Sequence, residues 1–292
     1  MRLIQYIFLL FLSASLSANA QTKNPDNTLL WEISGKELTK PSYLFGTYHF
    51  ADKGFVDTMK VVNEKLAAAD MIVGELIINK EMAEKLMPYM ILKDNSLDKL
   101  LSAKEYKLVD DYLKKLGNYN LEAFKMFSPM ALQTLIIQLT APKTFTDTNP
   151  AIDQYFQDYG KANNKEVIGL ETVEEQAQIL FGSSLDRQKA MLVKYIKEEK
   201  KNKLAAEKLY KDYITQNLKA TEKTFQKLDD FTTEEADRLL KNRNIKWIEK
   251  LPALMQNKSL FIAVGAGHLV GKDGLIKGLW AQGYTVKPVA TN

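Results

Sequence analysis

The chain has 292 residues, with 40 lysines and arginines against 36 acids, a net charge of +4 and no cysteine. The missing cysteines exclude disulfides, thiolate metal sites and a cysteine nucleophile. The charge excess is small and its lysines are spread along helical stretches, so nothing points to nucleic acid as a partner.

In chain order, Met1-Arg2, an almost wholly apolar run over 4–12 and Ala18-Asn19-Ala20 read as a signal peptide over residues 1–20. That run is too short to span a membrane, and no later one approaches the roughly 18 apolar residues a span needs. The expectation is an exported protein, periplasmic or secreted, without a stable membrane anchor. Residues 21–292 read as one α/β domain.

Residues 29–34 alternate like a strand, Gly35-Lys36 makes a turn, and 42–46 form a second strand, giving an opening hairpin. Residues 57–69 have helical spacing, with Met59, Val62 and Leu66 on one face. Residues 69–78 are apolar on both faces, as a buried parallel strand should be, yet carry Glu75 just after Gly74. From 80 to 139, helices are punctuated by Pro88, Asn95-Ser96, Gly117-Asn118 and Ser128-Pro129. After a polar loop over 142–148, Asn149-Pro150 starts a helix through Tyr159. Residues 166–170 give a short strand, and Thr172 with Glu175 fits a capping box for the next helix.

Residues 185–228 are highly charged and helical, with Tyr210, Ile214, Leu218 and Phe225 able to share a face. The lysine run over 197–203 reads as a solvated face. Thr232 or Thr233 caps a long helix through Trp247 and Leu254. A strand over 259–264, a short helix over 271–283 and a strand over 284–289 complete the chain. Strands separated by helices predict a mostly parallel central sheet flanked by helices. Helical insertions around 80–164 and 173–257 would form a large lobe.

The chain has two histidines, and both end the same local pattern. One closes Tyr43-Leu44-Phe45-Gly46-Thr47-Tyr48-His49, the other Phe261-Ile262-Ala263-Val264-Gly265-Ala266-Gly267-His268. A lone Gly-x-x-His is a weak signal; two copies that use every histidine are a stronger one. Ligands in open α/β sheets bind at the carboxyl ends of strands. His49, Glu75, Glu171 and His268 all lie at or just past predicted strand ends. Two neutral imidazoles and one or two carboxylates match a catalytic divalent-metal site with open positions for water.

Other readings compete. Glu75 in an apolar strand is costly unless it is a ligand or base, or pairs with a buried Arg or Lys. Glu171 also reads as an acid favoured at a helix N-terminus. Tyr48 reads as a wall of the site. Arg243 and Asn244 precede Trp247 on a helix. Arg243 would hold a substrate carboxylate, pair with Glu75 or Glu171, or stack on Trp247 at the surface.

Together, several segments resemble the TraB/GumN family, which includes the TIKI-type proteases and shares the erythromycin-esterase/ChaN-like fold. They are Leu30-Trp31-Glu32-Ile33-Ser34, residues 43–49, Glu75, residues 169–176, Arg243-Asn244 with Trp247, and Gly265-Ala266-Gly267-His268-Leu269. The resemblance implies an α/β sheet with a helical lobe, and one cleft faced by both histidines and a glutamate. It implies His49 and His268 as metal ligands and Glu75 as ligand or base. Glu171, Arg243, Asn244 and Tyr48 would be supporting or substrate-binding residues. Manganese or cobalt is the metal implied, with zinc as a further candidate.

The expected function is an exported divalent-metal-dependent hydrolase, most simply a peptidase, acting on a peptide or small-molecule substrate. Two alternatives stand beside it: a non-catalytic binding protein for peptide or haem in the same cleft, and a metal-free hydrolase with His49 or Glu75 as base. The absence of a Gly-x-Ser-x-Gly elbow argues against a serine triad.

Overall fold

The structure is a computed structural model that describes residues 27–141, 145–146, 148–225 and 231–292. The expected signal peptide at 1–20 lies outside the described residues, as does part of the 142–148 loop. Six strands make one sheet: β1 (Leu30–Ser34), β2 (Ser42–Thr47), β3 (Met71–Gly74), β4 (Glu166–Gly169), β5 (Leu260–Gly265) and β6 (Thr285–Val289). Their order is β4-β3-β5-β2-β1-β6. The first four in that order run parallel, while β1 is antiparallel to both β2 and β6. The predicted hairpin and mostly parallel, helix-flanked sheet are both present.

Packing explains why β2 and β5 are central. Leu44, Phe45, Phe261, Ile262 and Val264 are fully buried. Phe45, Phe261 and Phe156 meet as a three-ring cluster between sheet and helix. Residues apolar on both faces suit a strand covered by helices on both sides. The helical insertion has a core of its own, in which Leu113, Leu121, Ile136 and Leu192 are fully buried. Among the described residues no helix is long and apolar enough to cross a membrane.

Several boundaries differ from the sequence expectation. The strand expected over 69–78 is only Met71–Gly74, because the chain bends after Gly74. Backbone bonds from Leu170 N–H to Gly74 O and from Glu171 N–H to Glu75 O, 3.0 and 2.9 Å, still hold the two chain ends side by side. The helix expected over 57–69 is a short turn, Lys53–Asp57 capped by Asp52, and then Lys60–Ala68.

The stretch expected to be helical over 185–228 holds three helices, Leu185–Lys197, Glu199–Ile214 and Leu218–Phe225, and residues 226–228 lie outside the described ones. Gln216 takes a left-handed φ of 55° at the second break. The expected shared face is therefore lost: Ile214 is 38% exposed, and its neighbour Tyr213 is the residue that is buried. The Phe225 side chain lies outside the described part of the structure. The lysines between 197 and 203 are exposed, as expected. Thr172 and Thr232 both make capping boxes, with Glu175 and Glu235 respectively.

Candidate functional site

Four neighbouring parallel strands deliver the candidate residues to one edge of the sheet. Thr47 of β2 pairs with Gly265 of β5, and Gly74 of β3 pairs with Ala263 of β5 and Gly169 of β4. His49, Glu75, Glu171 and His268 each follow the end of one of these strands. Parallel strands end on the same side, so four residues far apart in sequence share one edge.

Arg243 ties most of them together. Its Nη2 donates to Glu75 Oε2 at 2.6 Å and to Glu171 Oε1 at 2.5 Å. Its Nε donates to Glu171 Oε2 at 3.0 Å, and Nη1 to the Leu239 carbonyl at 3.1 Å. Nη1 also lies 2.8 Å from His268 Nε2. The guanidinium stacks on Trp247, 4.7 Å from the ring centre. Arg243 is 8% exposed, so the surface-stacking reading fails while the pairing with both glutamates holds. The helix Asn242–Met255 that carries it follows a π-helical turn, Asp237–Lys241, an irregularity frequent at functional sites.

The tautomer of His268 follows from its partners. An arginine only donates, so His268 Nε2 must accept. Asn244 Nδ2 donates to the carbonyls of His268 and Asp273, which turns Asn244 Oδ1 towards the imidazole. His268 Nδ1 therefore donates to Asn244 Oδ1, at 2.7 Å. Burial pushes the His268 pKa down to about 3, with Arg243 and His49 acting in the same direction against the pull of Glu75. The ring is neutral at physiological pH and packs 4.4 Å from the Trp247 ring.

Glu75 sits at the centre. Its Oε1 accepts the Gly265 N–H at 2.8 Å, and its Oε2 accepts from Arg243 and from Gln176 Nε2 at 3.2 Å. Burial alone would raise its pKa. The positive charges of Arg243 and His49, with the Gly265 amide, outweigh burial and hold the carboxyl well below its ordinary value. A Cβ at Gly265 would stand 3.2 Å from Glu75 Oε1, so the second Gly-x-x-His glycine admits the carboxylate to the backbone.

His49 stands apart from this cluster. Its Nδ1 lies 2.9 Å from Asp153 Oδ2, and its side chain is 67% exposed. Asp153 is fixed in turn by Thr47 Oγ1, which donates to Oδ1 at 2.7 Å. The Asp153 charge raises the His49 pKa above the ordinary imidazole value, against the effect of burial. Water reaches the ring and screens part of that attraction. A backbone bridge between Asp52 and Ala151 brings the helix Ile152–Ala162, and Asp153 with it, beside the His49 loop. Tyr213 donates its hydroxyl to the Gly46 carbonyl at 2.9 Å and packs on Tyr48, whose own ring is wall rather than a hydrogen-bonding member of the cluster.

Two cavities meet at this edge, of about 450 and 320 Å³, and His49 and Glu75 line both. The smaller also touches Tyr48, Arg243 and His268. Asp153, Gln176 and Tyr213 are site neighbours that sequence reasoning missed. Asp153 had only the look of an acid in a first helical turn, and Gln176 was signalled only as the last residue of the 169–176 segment, with no role attached.

The chain matches the TraB/PrgY/gumN family over residues 29–288. The chain belongs to this family. Among curated proteins it is 22% identical to "Metalloprotease TIKI2" of Danio rerio over 318 residues, covering 89% of this chain and 61% of that protein. It is 21% identical to an uncharacterized protein of Treponema pallidum (strain Nichols) over 272 residues, covering 85% of this chain and 78% of that one.

By type, two imidazoles and a carboxylate suit a divalent ion. Each imidazole is also held at Nδ1 by a second side chain, as metal-bound histidines usually are. By spacing they do not assemble: among the described residues no three histidines or acids stand close enough to hold an ion. His268 Nε2 and Glu75 Oε1 are 3.8 Å apart, but Arg243 occupies the same imidazole nitrogen and the other carboxylate oxygen. The donor set fits a metal in chemistry, and in this arrangement the guanidinium takes its place.

Proposed function

We propose that this chain is an exported hydrolase acting on peptide bonds, with its reaction centre between His49, Glu75 and His268. One observation carries the reading: both imidazoles are fixed at Nδ1 by side chains from other helices, which makes Nε2 the nitrogen each can turn to chemistry, that of His268 once Arg243 releases it, beside a cavity Glu75 also lines. The TIKI2 likeness supports hydrolysis, and the apolar run before Ala18-Asn19-Ala20 supports export.

His49, His268 and Glu75 would hold a divalent ion, manganese, cobalt or zinc. Bound there, such an ion supplies a water of lowered pKa. The protein's own groups prepare the site. Two carboxylates against one guanidinium leave Glu75, Glu171 and Arg243 with one negative charge in excess, which favours an added cation. Glu75 is held ionised and is too weak a base to take a proton from water at neutral pH; its chemistry suits a ligand better. Asn244 fixes the neutral tautomer of His268, and Asp153 makes His49 more basic. Arg243 must first release His268 Nε2.

A second reading is favoured by that same Arg243 contact, which keeps His268 Nε2 engaged. In it no ion is needed, and the His49–Asp153 pair acts as general base on a water in the cavity. Its rate would climb with pH towards the raised His49 pKa.

Calorimetric titration of chelator-stripped protein with Mn²⁺, Co²⁺ and Zn²⁺ separates the two, run beside a His49→Ala/His268→Gln double variant and followed by a quenched-peptide screen. Stoichiometric binding that the variant loses, with peptidase activity restored by the ion, is the expected result. Full activity in the stripped protein would move the conclusion to the metal-free base. No hydrolysis of any peptide by either form would remove the peptidase reading.

A further inference from the structure

Two cavities share His49 and Glu75 in their linings and are otherwise walled by different elements, largely with apolar side chains. The larger is bounded by Met82, Leu86 and Met90, which recur every four residues along one line of the helix Glu81–Met90, and by Leu180 and Phe181. Among the described residues no lysine or arginine lines it, and its charged groups are His49, Glu75 and Asp153, all at the reaction centre. The smaller is walled by Tyr48, Tyr213, Leu209, Leu239 and Leu240. Each volume lies within the range of pockets that enclose a ligand the size of a drug molecule.

We propose that these cavities are paired apolar subsites, and that the substrate is a peptide with a bulky uncharged apolar residue on each side of the bond at His49 and Glu75. The proposal rests on the hydrolase reading and names its substrate class. A fatty chain would need one apolar tunnel, whereas two cavities meeting at the charged pair suit a chain that continues past the reacting bond in both directions. Thr134, Gln154 and Gln176 add hydrogen-bonding groups to the larger cavity, which a peptide backbone can use and an acyl chain cannot.

The wall is adaptable as well as apolar. The helix Glu81–Met90 contains no fully buried residue, and two of its three wall positions are methionines. Unbranched thioether side chains reshape around different apolar partners. The larger subsite therefore accepts several large side chains, while a charged one loses its hydration there without a partner.

Two quenched peptides with identical polar flanks, one centred on Phe-Leu and one on Ser-Gln, test this with wild type, Leu86→Lys and Leu209→Lys. Both leucines are only partly buried, and thermal melts establish that each variant is folded. Wild type is expected to cleave the Phe-Leu peptide with a kcat/KM roughly tenfold higher or more. Each lysine variant should erase that preference through KM. Fluorescence anisotropy with His49→Ala protein reads binding without turnover, and should show the same preference.

If wild type cleaves nothing but the Phe-Leu peptide still binds preferentially, the subsites stand and the hydrolase reading falls. Equal cleavage or equal binding of both peptides overturns the subsites and leaves hydrolysis intact. A long-chain acyl ester that binds where neither peptide does overturns the peptide as occupant.

Discussion

The two Gly-x-x-His loops share a sequence pattern and occupy opposite environments. The His49 ring is largely in water and leans on a carboxylate; the His268 ring is buried between Trp247, an amide and a guanidinium. One imidazole is pushed towards its charged form and the other away from it. The contrast teaches that a local motif delivers a side chain to the sheet edge, while residues from other elements set its chemistry. Asp153 lies 104 positions from His49, and Arg243 lies 25 from His268.

The comparison breaks most violently at Arg243. Arg243→Ala leaves two buried carboxylates unpaired and should cost about 3–5 kcal/mol of stability, read by urea denaturation. A loss under about 1 kcal/mol would mean that this contact does not hold Glu75 ionised. Next in size, Asp153→Asn removes the partner that orients His49. Activity or metal affinity should drop roughly 10- to 100-fold, and the His49 pKa should fall back towards its ordinary value. An unchanged His49 titration would show that the carboxylate does not set its charge.

With two histidines in the chain, proton NMR titration follows each one separately, assigned by His49→Gln. Relative to an ordinary imidazole near 6.5, the folded His268 binds its proton only at about 3. Its contribution to stability is complete above the unfolded value and is lost as pH falls towards the folded one. His49 behaves oppositely: its contribution is complete below the unfolded value and is lost as pH rises through its raised folded one. Two rings titrating together near the ordinary value would erase the contrast.

The smallest effect is at Tyr213. Tyr213→Phe removes the bond to the Gly46 carbonyl and should cost about 0.5–1.5 kcal/mol in thermal unfolding, with the His49 loop loosened and His268 unaffected. An equal disturbance of both histidine signals would show the loops to be coupled.

Much of the architecture was legible because the physics behind it is local. Apolar runs flanked by turns marked β2 and β5, and the capping box at Thr172 and a threonine cap at 232 or 233 announced their helices. The strand over 69–78 was overextended because an apolar pattern continues through Leu76 and Ile77, while Glu75 leaves the ladder to meet the Gly265 amide. The face drawn through Tyr210, Ile214, Leu218 and Phe225 failed because the helix ends at Ile214 and a left-handed Gln216 turns the chain before Leu218, with no glycine or proline to signal it.

By itself the sequence determined that His49, Glu75, Glu171 and His268 follow strands, since alternation and apolar runs are written residue by residue. The tertiary structure alone decided that those strands are neighbours, that Arg243 stands among their acids, and that Asp153 meets His49. Hydrogen bonds and charges act across a few ångströms of space without regard to distance along the chain. The electrostatics of the site therefore exist only once the sheet order has been chosen.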